Sequence, residues 1–184
     1  MDVRKFHIDG PALLIPKVHG DARGYFMETF NAPLFTELTG VTDDFVQDNQ
    51  SFSAQVGTLR GLHFQAPPHA QGKLVRCTRG AVTDAIVDIR TGSPTYGEHI
   101  TVHLSSENKH MFWVPPGFLH GFATLEPDTE FVYKVTGLYN QPSEGCVIWN
   151  DPDLGIDWGL DGLAPHLSDK DKIAQTFAEF HSPF

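Results

Sequence analysis

The 184-residue sequence is poor in cysteine, with only two. Cys77 and Cys146 stand far apart, and neither belongs to a CxxC or other metal-ligating spacing. A disulfide framework is therefore not what organises the chain, and both residues are expected to be buried free thiols. Positive charge is scarce as well. Lys and Arg number 13 against 23 Asp and Glu, a net charge of -10, which argues against a nucleic-acid partner. Long apolar runs are missing. The longest uncharged stretch, Met111 to Leu125, is cut by Pro115, Pro116, Gly117 and Gly121, so no membrane span is expected. The N-terminus carries Asp2, Arg4 and Lys5 with no apolar run of signal-peptide length, and a cytoplasmic location is expected. Repeats, low-complexity tracts and linker-like segments are lacking too.

What is present is the composition of an ordinary globular chain, 40% hydrophobic and 20% charged. Its apolar content excludes disorder for most of its length. Its size suits one domain over residues 1–184, large enough to fold without a disulfide or structural metal. Seventeen Gly, 13 Pro and 14 Phe suggest many turns and aromatic-bearing strands. Arg23 to Phe30 reads as a strand. Asn31 can cap a short helix that has Pro33 in its first turn and Leu34, Phe35 and Leu38 beyond. From about residue 45 to 145 strand follows strand. Lys73–Arg79, Val82–Arg90, His99–Leu104, Met111–Val114 and Glu130–Thr136 are rich in Val, Ile, Thr and aromatics and separated by Gly, Pro, Asn and Ser. The fold class is mainly β, an antiparallel sandwich or barrel. A closing helix is expected after Ser168, with Asp171 completing a capping box and Ile173, Phe177 and Phe180 on one face.

Charge is unevenly spread. Residues 57–90 hold five cations (Arg60, Lys73, Arg76, Arg79, Arg90) and two anions (Asp84, Asp88). Residues 126–184 hold eleven anions and three cations. This is either a basic solvated strand face or a site for a small anionic ligand. Within this zone, LRGLHFQ (59–65) places His63 in apolar company, where it is either a satisfied core histidine or a functional one. In QGKLVRCTRGAV, alternation sets Lys73, Val75 and Cys77 on one face and Leu74, Arg76 and Thr78 on the other. Lys73 then either snorkels from a strand end or is buried for a purpose. In FVYKVTGLY (131–139), Tyr133 shares a face with Phe131 and Val135, as plain core or as a third functional group. VPPGFLHGF (114–122) supplies a Pro-Pro-Gly turn and then His120.

Together these pieces resemble a cupin barrel, a small jelly roll. The second cupin motif survives as Pro115-x-Gly117-x-x-His120. The first does not: Gln65 stands where a second His belongs, and the region of the acidic ligand offers Lys73. A divalent cation needs several His or carboxylate ligands, so no metal is expected, and Lys73 supplies positive charge in its place. A metal-dependent cupin using His63, His69 and His120 is the alternative.

The likeness extends further. DARGYFMETF (21–30), QDNQS (47–51), LRGLHFQ, QGKLVRCTRGAV, SPTYG (93–97), VPPGFLHGF, FVYKVTGLY, WNDPDLGIDW (149–158) and LSDKD (167–171) resemble, in the same order, the dTDP-4-dehydrorhamnose 3,5-epimerase family. That resemblance implies an enzyme without a cofactor that inverts carbons 3 and 5 of a 4-keto-6-deoxyhexose carried on dTDP. His63 matches the family's base, Tyr133 its proton donor on the opposite face, and Lys73 the residue beside the ketone oxygen. Asp171 matches the aspartate that orients the base, although it can also simply cap a helix, and Asp84 is a second candidate partner for His63. Arg23 and Arg60 match diphosphate contacts. Glu28, Gln47, Asp48, Asn49, His120, Glu144 and Lys170 match other ligand contacts, and Tyr139 an aromatic near the sugar. Strict alternation opposes Arg60 to His63, so Gly61 is read as a bulge. Arg23 and Glu28 are either a surface ion pair or, as the family's usual homodimer implies, contacts to a partner's site. One departure stands out: Gly145-Cys146-Val147-Ile148 replaces the usual Gly-Gly-Ile-Arg. Relatives that epimerise one carbon share nearly all these motifs, so a single-centre epimerase is a further alternative.

Overall fold

The computed structural model describes residues 1–184. Two antiparallel sheets face one another. The six-stranded sheet has the order β1 (Asp2–Lys5), β2 (Ala12–Ile15), β10 (Met111–Val114), β7 (Lys73–Arg79), β12 (Thr129–Val135) and β5 (Gln47–Ser53). The five-stranded sheet runs β13 (Glu144–Cys146), β6 (Leu59–Gln65), β11 (Phe118–Thr124), β8 (Ala81–Asp88) and β9 (His99–Ser105). A separate hairpin pairs β3 (Val18–Asp21) with β4 (Gly24–Met27). Helices are few and short: α1 (Ala32–Thr39) and α2 (Asp169–Lys172). No helix is long and apolar enough to cross a membrane.

Side-chain alternation explains the layering. Val75 and Cys77 on β7, Phe112 and Val114 on β10, Val82 and Ile86 on β8, and Phe118 and Phe122 on β11 turn inward and form one buried cluster between the sheets. The intervening residues turn outward and need covers. Leu74, Met111 and Trp113 lie under Phe35 of α1. Ala85, Val87, Leu119 and Ala123 lie under Leu154, Trp158 and Phe180 of the C-terminal segment. Asn31 caps α1 as expected, its side chain accepting from Leu34 N–H, and Gly40 ends it in the left-handed conformation.

Three expectations are corrected. The closing helix stops at Lys172, and Ile173 is 83% exposed. Its continuation is pre-empted because Gln175 forms a parallel bridge to Val147 and accepts from Ile148 N–H at 2.8 Å. Phe177 and Phe180 still pack on the five-stranded sheet, but from a turn. Second, Cys146 is only partly buried, since β13 is an edge strand; Cys77 is buried as expected. Third, the strand read over 23–30 is limited to β4, half of a hairpin whose Tyr25 and Phe26 are exposed.

Candidate active site

Where β6 crosses β11 the two backbones come unusually close. A Cβ on Gly61 would lie 2.6 Å from Gly121 Cα, and Gly61 has φ +143°, a conformation that L side chains rarely adopt. The pairing register shifts at this crossing, between His120 and Phe122. The irregularity read at Gly61 is therefore present, and Arg60 and His63 line the same cavity despite their odd spacing.

That cavity, of about 940 Å³, opens between the sheets. His63 and His120, directly opposite in register, come from the five-stranded sheet, and Lys73 and Tyr133 from the six-stranded one. Asp171 and Lys170 close one side. A smaller adjoining cavity of about 290 Å³ shares His63, Lys73 and Tyr133 and adds Gln47, Asn49, Tyr139 and Glu144.

His63 Nε2 lies 2.6 Å from Asp171 Oδ1, and Asp171 Oδ2 accepts from the Ser168 hydroxyl at 2.7 Å. Burial pushes the Asp171 carboxyl up. The hydrogen bonds from His63 and Ser168, with the nearby charges, more than reverse this and hold it below the usual carboxylate value. As a carboxylate it only accepts, so Nε2 is the protonated nitrogen of a neutral His63 and Nδ1 carries the free lone pair. Asp84 instead pairs with His120, Oδ2 to Nε2 at 2.9 Å. Of the two aspartates the sequence offered, Asp171 is the one bonded to His63, and it belongs to the helix that Ser168 caps.

Burial draws Lys73 down to about 8, against the pull of Asp84 and Glu144. Burial pushes the Tyr133 phenol up, and the Arg60 cation opposes this. Neither Lys73 Nζ nor Tyr133 Oη has a hydrogen-bond partner in the protein, and neither is among the buried orphaned atoms, which are Ser53 Oγ and Asp84 Oδ1. Both tips therefore reach the cavity.

The other expected contacts divide. Arg60 lines the larger cavity. Gln47 bonds Asn49 at 2.8 Å and accepts from Tyr139 N–H, and Lys170 pairs with Glu144 at 2.7 Å. Asp48 is not brought in. It alternates to the opposite face of β5, where it pairs with Lys134 at 2.8 Å. Arg23 and Glu28 also lie outside the cavity; Arg23 pairs with Asp21, and Glu28 accepts from Asn31. His69 is exposed on a turn, and no three His, Cys, Asp or Glu side chains gather in a metal-holding group. The sequence reading missed Ser51, Gln55, Thr58 and His166 along the cavity wall. Alternation from Gln47 and Asn49 points to Ser51, but the bridge that brings His166 beside Thr58 has no local signal.

Comparison with known proteins identifies the family. Residues 5–179 match the family model described as dTDP-4-dehydrorhamnose 3,5-epimerase. The chain is 48% identical to that enzyme from Shigella flexneri over 179 residues, 97% of each chain. It is 51% identical to the Salmonella typhimurium enzyme over 174 residues, 95% and 94% of the two. The crystal structure of the Legionella pneumophila enzyme in complex with dTDP-4-keto-L-rhamnose superposes with a TM-score of 0.93 at 47% identity, covering 98% of this chain and 94% of that one. A 3'-monoepimerase from Streptomyces bikiniensis is more distant, with a TM-score of 0.88 and 36% identity over 94% and 86%. With near-complete coverage at about half identity, the chain belongs to the dTDP-4-dehydrorhamnose 3,5-epimerase family.

Proposed function

We propose that this protein inverts carbons 3 and 5 of dTDP-4-keto-6-deoxyglucose, giving dTDP-4-keto-L-rhamnose, without a cofactor. The observation that carries the reading is the convergence of three side chains on one cavity from opposing sheets: the His63 imidazole, backed by Asp171, faces the free tips of Lys73 and Tyr133.

The chemistry follows from the ketone at carbon 4, which acidifies the hydrogens on both neighbouring carbons. His63 Nδ1 removes such a proton, and Asp171 stabilises the imidazolium that forms. The C–H electron pair moves into the carbonyl as an enolate, whose oxygen is stabilised by the Lys73 ammonium. Tyr133 delivers its proton to the other face of the same carbon, which inverts it. His63 has then gained one proton and Tyr133 has lost one, and exchange with solvent restores both. Burial keeps Tyr133 a phenol until that step. Arg60, a planar fork at the cavity wall, suits the diphosphate.

We further propose that residues 1–184 work as one unit, because the cavity draws on residues from Ser51 to Asp171. The chain acts as a homodimer in which Arg23 and Glu28 reach the partner's site. The exposed hairpin carrying Tyr25 and Phe26 beside Arg23 supports this.

Turnover of dTDP-4-keto-6-deoxyglucose in deuterated water tests the reading. Deuterium is expected at both carbons, with rates unchanged by a chelator. Label at one carbon would reassign the protein to the single-centre relatives, and no label would overturn the proposal.

A further inference from the structure

The wall formed by β6 and β11 carries two carboxylate–imidazole pairs side by side, His63–Asp171 and His120–Asp84. The mechanism above uses only the first. Asp84 is fully buried on β8 between Val82 and Ile86, both members of the apolar core. Its Oδ1 has no hydrogen-bond partner. A buried carboxylate left half-satisfied is costly. The sheet does not require it, because β8 pairs in regular register on both sides, with Phe122 and Val102 opposite Asp84. An apolar residue would serve the strand better. Burial pushes the Asp84 carboxyl up, and the groups that oppose this and favour its charged form are His120 and Lys73, both lining the cavity.

We propose that Asp84 is a positioning residue for the epimerisation: its carboxylate fixes the His120 imidazole with Nδ1 toward the cavity and supplies the counter-charge that holds the Lys73 ammonium beside the ketone oxygen. This rests on the epimerase reading above. With Nε2–H given to Asp84, His120 Nδ1 has no protein partner and is not among the buried orphaned atoms, so it presents an acceptor to the ligand. His120 lies directly opposite His63 on the neighbouring strand, with the two backbones roughly 5 Å apart, so both imidazoles address the same ligand ring. Lys73 is faced by Asp84 from β8, Glu144 from β13, Lys170 from α2, His120 from β11, His63 from β6 and Tyr133 from β12. Of the two anions acting on it, Glu144 is engaged by Lys170 at 2.7 Å and Asp84 has the larger pull.

Asp84→Asn keeps the shape and an acceptor for Nε2–H but removes the charge. The expected result is a kcat lowered about 10–100-fold with KM within about threefold, and an alkaline limb of the pH–rate profile that moves to lower pH, because Lys73 loses the anion that favours its charged form. A variant with wild-type kcat and an unmoved alkaline limb would overturn the proposal. Nitrogen-15 NMR of the wild-type imidazoles gives a second reading that needs no variant to fold. His120 is expected as a single Nε2–H tautomer, and a mixture of tautomers would also overturn the proposal. If wild-type protein places no deuterium in the sugar, the epimerase reading fails, whereas the NMR result on His120 stands or falls separately.

Discussion

Burial draws the Lys73 ammonium down to about 8, while Asp84 and Glu144 pull the other way. Its charge is thus lost within the range where an enzyme is ordinarily assayed. On the proposed mechanism the enolate oxygen then loses its cation as pH rises through 8, so kcat/KM is expected to fall about tenfold per unit, as a pH–rate profile will record. Stability runs in the opposite direction. The folded-state value lies below the unfolded one, so the cost of burying the charge is fully present below 8 and relieved as pH rises toward 10.5. Lys73→Met is accordingly expected to raise stability at pH 7 by about 1–2 kcal/mol, measured by thermal melting, and to lower kcat roughly 10²–10³-fold. His63→Ala is expected to lose on the order of 10²–10⁴ in rate, and Asp171→Asn about 10² or more, in steady-state assays with the fold intact by circular dichroism. His63, Lys73 and Tyr133 were legible in the sequence as polar residues in strand-like apolar company. The choice between Asp84 and Asp171 was not, because the bonded pair is separated by 108 positions and only the tertiary fold brings it together. Asp48 shows the limit of motif matching. It lies between Gln47 and Asn49, but strand alternation turns it to the other face.

At the level of elements, the crossing of β6 and β11 sets the site. Gly61→Ala must place a Cβ 2.6 Å from Gly121 Cα in a conformation that favours glycine. The backbones would have to separate, and the shift that brings Arg60 and His63 into one cavity would be disturbed. A loss of about 2–4 kcal/mol in urea unfolding is expected, with a fall in kcat larger than that of Gly92→Ala, where the added Cβ meets nothing within 4 Å. The central strands were legible because β-branched and aromatic runs punctuated by Gly and Pro leave little else to form. The strands read at 73–79 and 111–114 match β7 and β10 residue for residue. The ends of the chain were less so. β1 (DVRK), β2 (ALLI) and β3 (VHGD) each hold a single β-branched residue and no aromatic, unlike the equally short β10 (MFWV). The helical spacing of Ile173, Phe177 and Phe180 misled because it mimics one apolar face, whereas the pairing of Gln175 with Val147 claims that backbone for the sheet edge.

For the whole molecule, the hairpin of β3 and β4 is the outlying feature. Val18, Tyr25 and Phe26 are 42%, 60% and 72% exposed, and the hairpin contacts the body through Lys109, whose Nζ sits 4.6 Å over the Tyr25 ring. If these aromatics serve the proposed homodimer, changing both Tyr25 and Phe26 to Ser shifts the protein to monomer in light scattering. It also raises KM, because Arg23 no longer reaches a neighbouring cavity. A double variant that stays dimeric with unchanged KM would remove the hairpin from the interface.

The tether between His63 and Asp171 has a consequence during synthesis. Translation adds roughly 5–20 residues per second, so His63 leaves the ribosome several seconds or more before the aspartate that aligns it, and Lys73 and Tyr133 also precede it. On the proposed mechanism, efficient proton abstraction awaits the segment that carries Asp171, and a nascent chain that stops short of it holds His63 without its carboxylate partner.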